Sequence, residues 1–284
     1  MNELISRITI LAVGVEKYDH MKRLWGPRKD VEQLRSLLTE NTQTALFDSV
    51  RFRELYDPTV SDLAKVINEY TVERSASGDI LIFYFSGHGV PIGRDDFGFC
   101  TTDTFIHPVE KAAFPLTVVK YSELIQTLYI AGVVPVIIID ACYSGVAGRS
   151  LVIPSIEAIA GMQQQLHSRA ASKYALLCSC SDDEEALDTP EGGVFSRCLM
   201  EVAAKGIKSS DVKKEHLTLR DIFPMLEESV QSCTVNSTPR LFLGATLPEI
   251  PLVINTQYSP PRYTLTGFFC QSSRRCGTTV KRVI

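Results

Sequence analysis

The sequence predicts an α/β layer structure built around a mostly parallel sheet. Two runs, 79–85 (DILIFYF) and 133–139 (VVPVIII), are short and almost wholly apolar, as strands covered on both faces are. Amphipathic helical patterns separate the strand-like segments in the first half of the chain, and that alternation is the mark of parallel strands joined by crossover helices. With 284 residues, 45% of them hydrophobic and 22% charged, the chain can bury a full core and has the composition of a globular protein rather than a fibrous or disordered one.

The elements follow in order. Residues 8–15 (ITILAVGV) form a first strand, and 27–40 a helix with Val31, Leu34, Leu37 and Leu38 on one face. Residues 50–56 alternate polar and apolar side chains as a second strand does. Asp57 and Pro58 then open a helix whose stripe is Leu63, Val66, Ile67 and Tyr70. After the two apolar runs comes a polar stretch, 143–172, rich in Gly, Ser and Gln. A strand at 174–178, helices at 194–205 and 219–230 and a last strand at 240–243 complete the pattern. Pro248, Pro251, Pro260 and Pro261 mark the end of the compact domain, which is placed at 1–257, with 258–284 a tail or small appendage.

Several classes are excluded by these features. The opening MNELISRITILAVGVEKYDH has only a short apolar run, no basic n-region and no small-residue cleavage site, so it reads as a first strand and not as a signal peptide. No stretch approaches the roughly 20 apolar residues of a membrane span. A cytoplasmic protein without a membrane span is expected. Eight cysteines are scattered through the chain, and Cys178 and Cys180 have one residue between them, which is not a zinc spacing. Reduced thiols are therefore expected, and no metal. The formal charge is −4, but Arg262, Arg274, Arg275, Lys281 and Arg282 lie in the last 27 residues (258–284) without any acid. The body is thus more acidic than the whole, which argues against nucleic acid as a partner and suits basic peptides.

The two apolar strands end in reactive sequences: Ser86-Gly87-His88-Gly89 and Asp140-Ala141-Cys142-Tyr143-Ser144-Gly145. In an open parallel sheet the carboxyl ends of the strands line the binding crevice, so a His and a Cys face the same side. Imidazole can hold a thiolate and protonate a leaving amine, which is what nucleophilic catalysis by cysteine needs. Glycines flanking His88 leave main-chain N–H groups accessible, and the N–H groups of Gly89 and Cys142 are candidates for an oxyanion hole.

A caspase-type cysteine lies about 50 residues after its histidine, and His88 and Cys142 are spaced similarly. The SGHG and DACYSG motifs resemble those of the caspase-like cysteine peptidases, closer to metacaspases and bacterial caspase homologues than to animal caspases. LAVGVEKY is similar to the group's first strand, LWGPRKDVEQL to its early pocket segment, FCTTDT to the strand after the His loop, and GGVFSRCLMEV to a later helix. The resemblance spans about residues 8–245 and implies a three-layer sandwich: helices on both faces of a mostly parallel sheet of about six strands.

The resemblance also implies a substrate. Animal caspases have Gln two residues before the cysteine, where this chain has Asp140, and a carboxylate there repels a P1 aspartate and attracts Arg or Lys. Carried over residue by residue, the metacaspase pocket falls on Asp30, Ser86 and Asp140, with Pro27 where a small residue or cysteine is usual. The blander roles are a helix-start acid for Asp30 and a strand-end cap for Asp140. The leading expectation is an endopeptidase cleaving protein or peptide substrates after Arg or Lys through a thioester acyl-enzyme. The alternatives are a related peptidase with Asp or Asn specificity and an inactive caspase-like scaffold that works by binding.

No cofactor is expected. Many metacaspases respond to calcium, but Asp95, Asp96 and Asp103 form no EF-hand loop, and Arg149 stands where calcium-dependent members have an acid. Caspase-like zymogens are commonly controlled by cleavage of the linker after the catalytic strand. Arg149, Arg169 and Lys173 in that linker are the candidate self-processing sites, and a regulatory protein partner is the other expected control. The acidic run 182–191 reads first as a solvated loop. Bacterial homologues often belong to stress or defence systems, an analogy of fold and not of site.

Overall fold

A computed structural model describes residues 2–73, 78–93, 96–109, 112–142, 173–180, 189, 191–208, 210, 212–234 and 237–260. Its first half runs α1 (Asn2–Ser6), β1 (Ile8–Gly14), α2 (Pro27–Arg35), β2 (Phe52–Tyr56), α3 (Val60–Glu73) and β3 (Ile80–Ser86). The strands β4 (Gly89–Ile92), β5 (Asp96–Cys100) and β6 (Val118–Lys120) follow, then α4 (Tyr121–Ile130) and β7 (Val134–Asp140). The remaining elements are β8 (Ala175–Cys178), α5 (Val194–Lys205), β9 (His216–Leu217), α6 (Leu219–Cys233), β10 (Arg240–Leu243) and β11 (Val253–Ile254).

Six strands form the central sheet in the order β10-β8-β7-β3-β1-β2. All neighbours pair in parallel except β10, which closes one edge antiparallel to β8. The chain leaves β1 for β2 on one side and returns to β3 on the other. The switch point of the topology therefore lies between β1 and β3, where crossover loops diverge and leave a crevice.

Each strand of the sheet's centre faces two cores. Ile8, Ile10, Ile82, Tyr84, Val136 and Ile138 point to the layer of α2, α5 and α6. Leu11, Val13, Leu81, Phe83, Phe85, Ile137 and Ile139 point to the layer of α3 and α4. Every residue of β3 and β7 is buried, which is why neither run alternates in polarity. Pro135 lacks a donor, and it sits where β7 has β3 beside it but has not yet met β8, whose pairing begins at Val136.

The predicted three layers and parallel sheet are present, and the differences are local. The helix expected over 27–40 ends as α-helix at Arg35. Residues Ser36–Glu40 make a wider π turn, closed by the Asn41 N–H donating to the Ser36 carbonyl at 2.8 Å, which keeps Leu37 and Leu38 buried. The helices α1 and α4 and the strands β4 and β6 were not anticipated, and the strand read at FCTTDT after the His loop lies earlier, as β5, in a separate antiparallel sheet with β4 and β6. α6 runs three residues past its expected end and begins with a capping box: the Thr218 hydroxyl accepts from the Asp221 N–H, and Asp221 accepts from the Thr218 N–H.

Candidate active site

Parallel pairing of β3 with β7 sets Ser86 opposite Asp140. Adjacent strands lie about 4.8 Å apart, and His88 and Cys142 each follow their paired residue by two positions. The register thus carries both motifs off the sheet side by side. The Gly87 N–H continues the ladder by donating to the Asp140 carbonyl at 3.2 Å. Gly89 is packed so closely that a Cβ would stand 2.6 Å from the Cys142 carbonyl oxygen and 2.4 Å from the Phe97 ring, and glycine alone fits there. The Cys100 N–H donates to the His88 carbonyl at 3.1 Å, so Gly89 and Phe99 are a non-hydrogen-bonded pair. The Gly89 N–H therefore points away from β5.

His88 is held by the loop after β1. Its backbone N–H donates to the Tyr18 hydroxyl at 2.8 Å, and that hydroxyl donates to the Val15 carbonyl at 3.0 Å. The two rings lie against each other with centroids 4.7 Å apart. Nε2 of His88 is 2.8 Å from the Lys22 carbonyl oxygen. A carbonyl only accepts, so Nε2 carries the hydrogen and neutral His88 presents its lone pair at Nδ1.

Cys142 is partly exposed, and its support comes from the opposite side, the end of β8. The Ser179 hydroxyl accepts from the Ala141 N–H and donates to the Ala141 carbonyl, both at 3.2 Å; the Cys180 thiol donates to that carbonyl at 3.2 Å as well. Ser179 is tied in turn by the Ser237 hydroxyl, which donates to its carbonyl at 2.6 Å.

The proposed pocket residues converge beside this pair. Ser86 and Asp140 share the face of the sheet that α2 and α5 cover, and Asp30 approaches from the first turn of α2. Asp30 is 1% and Asp140 5% exposed. The Ser86 hydroxyl donates to Asp30 Oδ2 at 2.8 Å, and the Gly193 N–H to Asp30 Oδ1 at 2.9 Å. Asp140 Oδ2 accepts from the Ser196 hydroxyl at 2.5 Å and from its N–H at 3.2 Å. A Cβ on Gly193 would come within 2.3 Å of Asp140 Oδ2, so only glycine lets the start of α5 approach the carboxylate. Beneath them the Tyr84 phenol, 2.5 Å from the Ser196 hydroxyl, is held well above its ordinary pKa by burial and by the charges of Asp30 and Asp140.

Other candidates fall elsewhere. Asp96 accepts from the Ser122 hydroxyl at 2.6 Å, and Asp103 from the Thr101 hydroxyl at 2.7 Å and from the Val60 N–H at 3.0 Å, so both serve helix starts. Lys173 is exposed just before β8, whereas Arg149, Arg169, Asp95, the acidic run 182–188 and the tail from 261 lie outside the described residues. Among the described residues no helix is long and apolar enough to cross a membrane. The residues that sequence reasoning missed are Tyr18, Lys22, Ser179, Gly193 and Ser196. Tyr18 lies in LAVGVEKY, and Gly193 and Ser196 in GGVFSRCLMEV, but their partners are remote in sequence.

The family model for the peptidase C14 caspase domain matches residues 7–249. Among solved structures, caspase-1 from Spodoptera frugiperda superposes with a TM-score of 0.56 at 14% identity, covering 89% of this chain and 92% of its own. A protein from Geobacter sulfurreducens gives a TM-score of 0.53 at 19% identity, covering 88% and 98% respectively. At such identities the likeness is one of fold. No curated protein sequence matches significantly.

Proposed function

The chain belongs to the caspase-domain family of cysteine peptidases, and from that premise we propose that it is an endopeptidase that cleaves after Arg or Lys with Cys142 as nucleophile and His88 as its acid and base. The observation that carries the reading is the β3–β7 register, which sets Ser86 against Asp140 and brings Gly89 onto the Cys142 carbonyl. Nδ1 of His88 takes the thiol proton, and the Cys142 thiolate attacks the scissile carbonyl carbon. The N–H groups of Gly89 and Cys142 receive the oxyanion. Collapse of the tetrahedral adduct breaks the C–N bond as His88 returns the proton to the leaving amine. Water, deprotonated by His88, then releases the acid from the thioester.

Specificity follows from the two buried acids. Asp30 and Asp140 offer carboxylate oxygens beside Ser86, and a P1 guanidinium or ammonium supplies the charge that such a site favours, while an acidic P1 side chain is repelled. Protein substrates and control by linker cleavage or by a regulatory partner are part of the same reading. The test compares wild type with Cys142→Ala on fluorogenic peptides bearing Arg, Lys, Asp or Asn at P1. Turnover of the Arg and Lys peptides by wild type alone is expected. Equal turnover by both proteins removes Cys142 as nucleophile, and preference for Asp removes the pocket assignment.

A further inference from the structure

Away from the cleft, α5 and α6 bring two thiols into contact. Cys198 of α5 is 1% exposed, and its thiol points at Sγ of Cys233, 3.8 Å away. Cys233 is exposed and is the last residue of α6. One turn earlier on the same face of α6, the Ser229 side chain also bonds the Cys198 thiol, so the buried sulfur is aimed rather than loosely packed.

We propose that Cys198 and Cys233 form a reversible disulfide that staples α5 to α6, with hydrogen peroxide as the oxidant. A disulfide needs its sulfurs at about 2.05 Å. The remaining approach falls on Cys233, whose position at a helix end lets its side chain rotate without disturbing the core. Cys198 is buried, which raises its thiol pKa, whereas Cys233 is exposed, so the Cys233 sulfur meets peroxide first. It attacks one oxygen, the O–O bond breaks, and Cys233 becomes a sulfenic acid as hydroxide departs and takes up a proton to become water. The Cys198 sulfur then attacks the sulfenic sulfur. The S–S bond forms, the S–O bond breaks, and the hydroxyl leaves as water with the Cys198 proton. Two thiols are oxidised and one peroxide is reduced to two waters.

The staple has a structural consequence near the site. α5 begins at the residues whose N–H and hydroxyl groups hold Asp30 and Asp140. Fixing α5 to α6 at Cys198, two residues after Ser196, removes freedom from the unfolded chain and strengthens the layer on which those carboxylates rest.

The experiment uses the full chain carrying Cys142→Ala, which removes the cleft thiol and any self-cleavage, so its outcome is independent of the peptidase reading. After stoichiometric hydrogen peroxide, free thiols are alkylated and the protein is digested with trypsin, which leaves Cys198 on peptide 198–205 and Cys233 on peptide 221–240. The expected result is a cross-link between these two peptides from monomeric protein, lost on treatment with dithiothreitol, together with a higher Tm for the oxidised form. Adding Cys233→Ser, at an exposed position that the fold tolerates, abolishes both. Recovery of Cys233 alkylated, over-oxidised or joined to a cysteine other than Cys198 overturns the proposal, as does an unchanged rise in Tm in the Cys233→Ser protein.

Discussion

Ser196 binds one oxygen of Asp140 twice, through its hydroxyl at 2.5 Å and through its N–H at 3.2 Å. Because the carboxylate only accepts, the Ser196 proton is committed to it, and the Tyr84 phenol must donate to Ser196. A chain of donors thus runs from the sheet's core to the pocket. Tyr84→Phe removes its first member and leaves the Ser196 acceptor buried, at a cost of about 1–2 kcal/mol. Thermal melting should show a Tm lower by roughly 2–8 °C, with Arg-peptide turnover largely kept because Asp140 retains both of its own donors.

On the proposed reading, the Asp30 and Asp140 carboxylates set the charge preference. Asp140→Asn and Asp30→Asn should each lower kcat/KM on Arg and Lys peptides by about 100-fold or more, the range for removing one partner of a buried charge pair. Circular dichroism should still report a folded protein. Unchanged kinetics in both variants would show that the basic side chain binds elsewhere.

On the proposed reading, Tyr18 acts on the reaction through His88, whose backbone N–H donates to its hydroxyl. Tyr18→Phe keeps the ring contact and deletes the acceptor of the His88 N–H. A fall in kcat of about 10-fold with KM nearly unchanged is expected, since the imidazole loses its setting and not the substrate its pocket. Equal changes in kcat and KM would assign Tyr18 to binding instead.

The start of α6 gives a pH signature. Partial burial pushes the Asp221 carboxyl up, but hydrogen bonds from Thr218 and Lys214 outweigh this and hold its pKa below the ordinary value. A carboxylate depressed in the folded state adds stability above its unfolded pKa of about 3.9, and that stability is lost as pH falls through the folded value. Asp221→Asn should therefore lower stability by about 1 kcal/mol at neutral pH, and the difference from wild type should shrink below about pH 4. Denaturant titrations at pH 3 and pH 7 measure this; a constant difference would rule out the ionised form as the source.

Thiol labelling separates the cysteines by environment. Burial pushes the Cys100 thiol up to about 12, so at pH 8 only about one part in 10⁴ of it is thiolate. Native protein should be alkylated at exposed Cys233 and partly exposed Cys142, whereas Cys100, Cys178 and Cys180 should react only after unfolding. Fast labelling of Cys100 in the native state would contradict its packing.

What could be read in advance was whatever a local pattern encodes. Every residue of the predicted stripe Leu63, Val66, Ile67 and Tyr70 is buried, and the two apolar runs are the strands β3 and β7. His88 and Cys142 stand out as candidates because each comes three residues after such a run. By contrast α4 escaped notice because it begins straight after β6 with no side-chain cap, and its stripe Tyr121, Leu124, Ile125 and Leu128 blends into apolar surroundings. The partners of the site were also hidden. Gly193 reaches Asp30, and Ser196 reaches Asp140, only because the start of α5, 163 and 56 residues on in the sequence, packs over the end of the sheet. Nothing in the spacing of those residues announces the meeting, which belongs to topology.

His88 is anchored toward β1, through Tyr18 and Lys22, and Cys142 toward β8, through Ser179 and Cys180. Among the described residues, His88 and Cys142 are thus held from opposite sides, and between their anchors lies the ladder joining β3 to β7. Their separation is gauged by the pitch of a hydrogen-bonded sheet, one of the least deformable lengths in a protein. A perturbation of either loop can tilt the imidazole or the thiol, but the gap between their roots behaves like the fixed jaw of a vice, and aim rather than reach is the quantity left to vary.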